Sequence, residues 1–169
     1  MIATQYTALT QLFENLRENS KVWIYTSNLA LNPSVVEDLN QKIEVFAKQW
    51  TAHDIALKAS GAVLFNRFIV LSVDESQTNA SGCSIDKSVH FIQDIEKQLS
   101  IQLFDRLTIF YLDKGEMKSF HFSELQAKIE RMEISTETEI FDTTITQLDK
   151  LRTEFIKKAK NSWLSRYFK

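Results

Sequence analysis

The sequence predicts an α+β fold: a mostly antiparallel sheet in βαββαβ (ferredoxin-like) order, with an extra hairpin strand and N- and C-terminal helices. Three observations predict it. Two amphipathic stripes, Val36–Trp50 and Ile85–Leu99, alternate with β-branched and aromatic runs. Turn chemistry falls between paired runs, at Asn66-Arg67 and at Asp113-Lys114-Gly115-Glu116. A single proline, Pro33, stands where a first helical turn needs no N–H.

The elements follow in order. Tyr6, Leu9, Leu12, Phe13 and Leu16 recur at helical spacing and predict a helix over residues 4–18. Val22-Trp23-Ile24-Tyr25-Thr26 is a strand whose near-continuous apolarity suggests a central position, buried on both faces. Asn32 caps the next helix; Val36, Leu39, Ile43, Phe46 and Trp50 form its stripe, which runs out near Ala52-His53. Leu57–Phe65 and Phe68–Val73 read as strands of one hairpin. Ser84 is the expected cap of the helix carrying Ile85, Val89, Ile92, Ile95 and Leu99. Leu107–Leu112 and Met117–Phe122 make a second hairpin, and Ser123–Met132 a short helix. Residues 133–142, acidic and rich in Ser and Thr, read as a loop or edge segment. A basic amphipathic helix over about 146–168 carries Leu148, Leu151, Phe155, Ala159, Trp163 and Tyr167 on one side.

Residues 1–169, 44% hydrophobic and 25% charged, suit one domain with its core over about 20–132. No run approaches the roughly 20 apolar residues of a membrane span. Met1–Gln11 lacks a basic start followed by an apolar block, so no signal peptide is expected. With one cysteine, Cys83, these features favour the cytoplasm. Residues 147–169 hold seven Lys/Arg against Asp149 and Glu154, whereas the other 146 residues carry 13 basic and 20 acidic side chains. An acidic body disfavours bulk nucleic-acid binding.

A phosphate-binding loop needs Gly, four residues, then Gly-Lys-Ser/Thr. From Gly61, Gly82 and Gly115 the second glycine position falls on Asn66, Lys87 and Phe120, which excludes a P-loop ATPase. His53, His90 and His121 are far apart and the spacing of Asp74, Glu75 and Asp86 matches no calcium loop, so neither metal nor cofactor is expected.

The loop Asp74–Asp86, between a strand end and a helix start, is the candidate site, and a binding protein is the leading expectation. Free N–H groups at the helix start, with Ser81, Gly82, Ser84 and Asp86, could form a ligand pocket, or the serines could simply cap the helix. The alternative is a thiol-dependent enzyme with Cys83 as nucleophile, His53 as base and Asp74 or Glu75 as orienter. The blander reading of Cys83, a small apolar plug under the loop, is the one favoured for a free cysteine. A third reading is an adaptor or peripheral membrane protein that docks through residues 147–169.

Val22-Trp23-Ile24-Tyr25, Gln49-Trp50-Thr51-Ala52-His53, Val73-Asp74-Glu75-Ser76, Ser81-Gly82-Cys83-Ser84-Ile85-Asp86 and Asn161-Ser162-Trp163-Leu164 resemble an uncharacterised family of small bacterial proteins. Some members are labelled ABC transporter ATPases. The resemblance runs from about residue 20 to the C-terminus and implies no particular ligand. Where that label implies ATP hydrolysis, this chain departs from it by lacking the Walker lysine and its glycines.

Overall fold

The computed structural model describes residues 7–168. It is an α+β fold built in layers around two antiparallel sheets. The first sheet has the order β1-β5-β4, from β1 (Lys21–Thr26), β4 (Lys58–Leu64) and β5 (Phe68–Asp74). Helices α1 (Pro33–Gln49) and α2 (Gly82–Leu99) cover one face of it. Its other face packs on a four-stranded sheet of order β7-β6-β8-β9. Those strands are β6 (Thr108–Asp113), β7 (Glu116–His121), β8 (Glu139–Phe141) and β9 (Ile156–Lys158).

The reason for this layering lies in β5. All seven of its residues are buried. Ile69, Leu71 and Val73 point into the core under α1 and α2, with Leu39, Ile43, Trp50, Ile92 and Ile95. Phe68 and Val70 point the other way, into a core shared with Phe110, Phe141, Phe155 and Ile156. A third cluster, Ile109, Tyr111, Phe120, Leu125, Ile134, Ile140, Ala159 and Leu164, covers the outer face of the second sheet.

The start of the expected ferredoxin-like order is present, since β1, β5 and β4 hold the positions of its first, third and second strands. The fourth strand does not complete it. β6 pairs with β7 and β8 instead of β1, so β1 is an edge strand and not the central one its sequence suggested. Its apolarity has another cause: both of its faces are covered, although its outer edge is paired only in part.

The two long helices follow the expected pattern with shifted ends. Asn32 Oδ1 accepts the Val35 N–H at 3.0 Å and caps α1. The polypeptide then makes a hairpin, β2 (Thr51–Ala52) with β3 (Ile55–Ala56), in which His53 and Asp54 hold positive φ of 49° and 62°. His53 is thus at an exposed hairpin tip and not a helix end. The α2 cap is Ser81, three residues before the expected Ser84, so Cys83 belongs to the first helical turn. The β4–β5 turn also differs, because Phe65 and Asn66 are the residues at positive φ, 51° and 53°. Both are the central residues of a turn closed by the Arg67 N–H on the Leu64 carbonyl at 3.0 Å, a hairpin geometry that requires positive φ at the two central positions.

Both terminal helices depart most from expectation. Residues 4–6 of the first lie outside the described residues. Beyond Leu9 the segment is a series of turns, with Phe13 at φ 54°. Arg152 explains this locally, since its Nε and Nη2 each donate at 2.9 Å to the carbonyls of Leu12 and Phe13. The C-terminal helix shrinks to α4 (Leu148–Glu154). β9 then claims the backbone for pairing with β8, and the Ser162 hydroxyl caps a last 3-10 turn, Trp163–Tyr167. Residues 133–142 contribute β8, an inner strand and not an edge. The short helix after β7 is a 3-10 turn, Phe122–Glu124, leading into α3 (Leu125–Glu130). Among the described residues no helix is long and apolar enough to cross a membrane.

The close packing of α1 on β4 is testable at Gly61. A Cβ there would lie 2.5 Å from Ile43 Cγ2 and 2.8 Å from the Val70 carbonyl oxygen. Gly61→Ala is expected to lower stability by about 1–3 kcal/mol in urea denaturation, through overpacking. Gly82→Ala, where the same atom meets nothing within 4 Å, should change stability by at most about 1 kcal/mol, in the stabilising direction.

Candidate functional site

The loop after β5 is held by ion pairs. The Asp74 carboxylate is closed to solvent and accepts from Arg17 Nε at 3.0 Å, Lys58 Nζ at 3.4 Å and the Ser76 N–H at 2.9 Å. Burial pushes this carboxyl up, but the bonds from Ser76 and Arg17 outweigh it and hold it well below the usual carboxylate range. Glu75 takes Lys21 Nζ at 3.0 Å and the Ala80 N–H at 2.8 Å. Both carboxylates are therefore occupied in tying the first segment and β1 to the end of β5.

The remaining expected residues serve the helix start. Ser81 Oγ accepts the Ser84 N–H at 3.3 Å, and Ser84 Oγ donates to the Ser81 carbonyl at 2.7 Å. The Ser84 carbonyl in turn accepts the buried Trp50 Nε1–H at 2.7 Å, joining the helix start to the end of α1. Asp86 is exposed, and Gly82 brings no neighbouring backbone close. Cys83 is exposed too, and not the apolar plug that a free cysteine can be. Among the described residues no hydrogen bond links Cys83 to His53 or to either carboxylate, and no three His, Cys, Asp or Glu side chains converge as metal ligands.

The geometry draws attention to a different place, the outer edge of β1. The Val22 N–H donates to the Thr146 carbonyl at 2.9 Å, and the Thr26 N–H to the Leu103 carbonyl at 3.1 Å. Alternation along a strand then points the Ile24 N–H and C=O to that same side. Among the described residues neither group has a partner, nor has the Val22 carbonyl. Here the segment after α2 and the turn before α4 separate, leaving a cavity of about 310 Å³. It is lined by Val22–Thr26, by Leu103, Phe104, Asp105 and Arg106, and by Thr143, Thr144, Ile145 and Thr146.

Its walls are mixed in character. Tyr25 meets Phe104 edge-on at 5.4 Å, and Trp23 lies 5.9 Å from Trp50. Burial pushes the Tyr25 phenol up, while the Ser88 hydroxyl and the nearby Arg106 guanidinium pull the other way. Bonds from the Thr108 hydroxyl and the Leu107 N–H hold the Asp105 carboxyl below its ordinary range and use its acceptor capacity. Arg106 is exposed, with no carboxylate in ion-pair reach among the described residues. The cavity thus offers a guanidinium without an ion pair among the described residues, a carboxylate fixed by neutral donors, a backbone donor with two acceptors, and aromatic surface.

The sequence marked Val22–Thr26 as a strand and missed that its edge is open. No local signal revealed it: the run read as the fourth strand, Leu107–Leu112, does form a strand, but one that pairs with β7 and β8. No protein-family model, curated protein or solved structure matches the chain.

Two measurements test these assignments. Iodoacetamide is expected to alkylate Cys83 in the native protein, and His53→Ala to change that rate less than about twofold; a larger drop would restore the pair as a catalytic unit. For Asp74, a folded-state pKa below the unfolded value of about 3.9 means stability present above that pH and lost as pH falls through the folded value. Asp74→Asn should therefore destabilise by about 1–3 kcal/mol at pH 7, and the gap to the unchanged protein should narrow at pH 3 in urea titrations.

Proposed function

We propose that this protein is a binding module whose ligand seats in the cavity along the open edge of β1. The observation that carries the reading is the unpaired Ile24 amide and carbonyl in a half-buried strand. A buried donor or acceptor without a partner costs about 1–3 kcal/mol, so such groups are ordinarily matched by protein, water or ligand. A ligand that presents a matching acceptor and donor there exchanges water for fixed bonds, worth about 0.5–1.5 kcal/mol each. The volume, about 310 Å³, suits a small ligand or a few residues of peptide.

Binding is favoured over thiol catalysis because among the described residues no base is hydrogen-bonded to Cys83, and the carboxylates expected to orient one are paired with Arg17, Lys58 and Lys21. The Asp74–Asp86 loop loses ground as the binding address for the same reason. Docking through a C-terminal amphipathic helix loses its element: Leu148, Leu151 and Phe155 enter the core between the sheets, whereas Ala159 and Leu164 enter the outer one.

The reading is tested by amide hydrogen exchange followed residue by residue. The Ile24 N–H is expected to exchange at least about tenfold faster than those of Trp23 and Tyr25, whose amides face β5. Equal protection of all three would mean that the edge is already closed. In a screen of short peptides and amide-bearing small molecules, shifts should gather at Val22–Thr26, Leu103–Arg106 and Thr143–Thr146; shifts gathered at Asp74–Asp86 would overturn the assignment.

A further inference from the structure

We propose that the occupant of this cavity is a short extended segment of another polypeptide, added to β1 as a partial fourth strand, with an acidic residue facing Arg106. This rests on the cavity being the ligand site and adds the identity of the partner.

The first argument is the pattern of backbone groups. Val22 C=O, Ile24 N–H and Ile24 C=O follow one another along the outer edge, with the spacing of a strand. One residue of an added strand opposite Ile24 satisfies its N–H and C=O together, and a residue two positions away can donate to the Val22 carbonyl. About three residues suffice. A single small amide can match the Ile24 pair but not all three groups.

The second argument is that this edge already accepts strand-like additions from its own chain. Thr146 bonds to Val22 at one end, and Leu103 and Gln102 bond to Thr26 and Asn28 at the other. Only the middle is left open, about 13 Å from Val22 to Thr26 at strand rise. The opposite edge of the same sheet is guarded: α1 lies over β4, and Asn40 Oδ1 takes the Val63 N–H at 2.8 Å. On the second sheet β7 carries exposed Glu116 and Lys118 along its edge, a common protection against strand addition.

The third argument is charge and surface. The Asp105 carboxylate keeps its charge but is fixed by the Leu107 N–H and the Thr108 hydroxyl, whereas the exposed Arg106 has no ion-pair partner among the described residues, so the guanidinium is the charge left to meet a ligand. Arg106 and Tyr25 both line the cavity, and the Tyr25 side chain lies on the helix-facing side of the sheet. A residue directly opposite Ile24 would turn its side chain to the other face, so its neighbours in the added segment meet Arg106. The inferred motif is therefore an apolar residue flanked by Asp or Glu. Phe104, 38% exposed, offers apolar surface where such a segment would leave the cavity. Main-chain bonds give affinity to this kind of recognition and alternate side chains give selectivity.

Capped pentapeptides with Val at the centre and Asp on both sides of it are the probe, titrated against the labelled full chain. Expected are shifts of the Ile24 amide and slowed Ile24 exchange. A matching peptide N-methylated at the central valine should bind at least about tenfold more weakly, having lost one main-chain bond. Arg106→Ala should weaken the acidic peptide about three- to fivefold and leave a Ser-flanked version unchanged. An N-methylated peptide that binds equally well overturns the proposal, as does preference for Lys over Asp. If N-methylacetamide shifts the cavity amides and no pentapeptide does, the occupant is a small molecule: the cavity reading stands and this proposal falls. If Ile24 becomes protected only as protein concentration rises, the occupant is a second copy of the chain, and the proposal also falls. If nothing moves the cavity amides, both readings fall.

Discussion

A strand with no wet face imposes a layer on each side of its sheet, and β5 is such a strand from Phe68 to Asp74. One layer is supplied by α1 and α2. The other is a second sheet, and building it uses the strand that would otherwise have completed the first. The fourth position beside β1 is thus vacated by the demand for cover over Phe68 and Val70. Without β6 and β8, Phe65 and Phe68 would lose the rings of Phe110 and Phe141 that cover them and would face water.

The vacated position is only partly refilled. Residues 102–103 and Thr146 reach β1 from opposite ends, and each supplies carbonyls to its outward N–H groups. Neither continues far enough to meet the other, because Asp105 is held by the start of β6 and Asp142 by Lys157, at 3.0 Å, and by the Thr144 N–H. The opening at Ile24 follows from where those two turns are anchored. It is bounded by fixed features on every side, which is what distinguishes it from a frayed edge.

Much of the α+β character was legible. The α1 cap at Asn32-Pro33, the Leu39/Ile43 stripe and the Lys114-Gly115 turn, both residues at positive φ, depend on local chemistry and stand where that chemistry places them. Misreadings occur where long-range contacts override local preference. An apolar run such as Val22–Thr26 reports that both faces are covered and carries no information on whether its edge is paired. The helical spacing of Leu148, Leu151, Phe155 and Ala159 persists through a segment that changes to a strand at Ile156, because β8 offers ladder bonds there. Phe13 leaves the helical region where Arg152, 139 residues later, takes its carbonyl. For the candidate site, Cys83 and its acidic neighbours drew attention by residue type, yet Asp74 and Glu75 answer to cations from Arg17, Lys21 and Lys58 that no local pattern announces. The cavity is a property of pairing and had no motif to reveal it.

The placement of the three tryptophans has an optical consequence. Trp23 forms part of the cavity wall and lies 5.9 Å from Trp50, which is 1% exposed and hydrogen-bonded to the Ser84 carbonyl. Trp163 sits on the outermost layer, with Phe122 and Tyr167. One indole therefore borders the hollow with a second packed against it, while the third belongs to a separate cluster. Intrinsic emission becomes a built-in gauge of occupancy, readable without a dye or a tag.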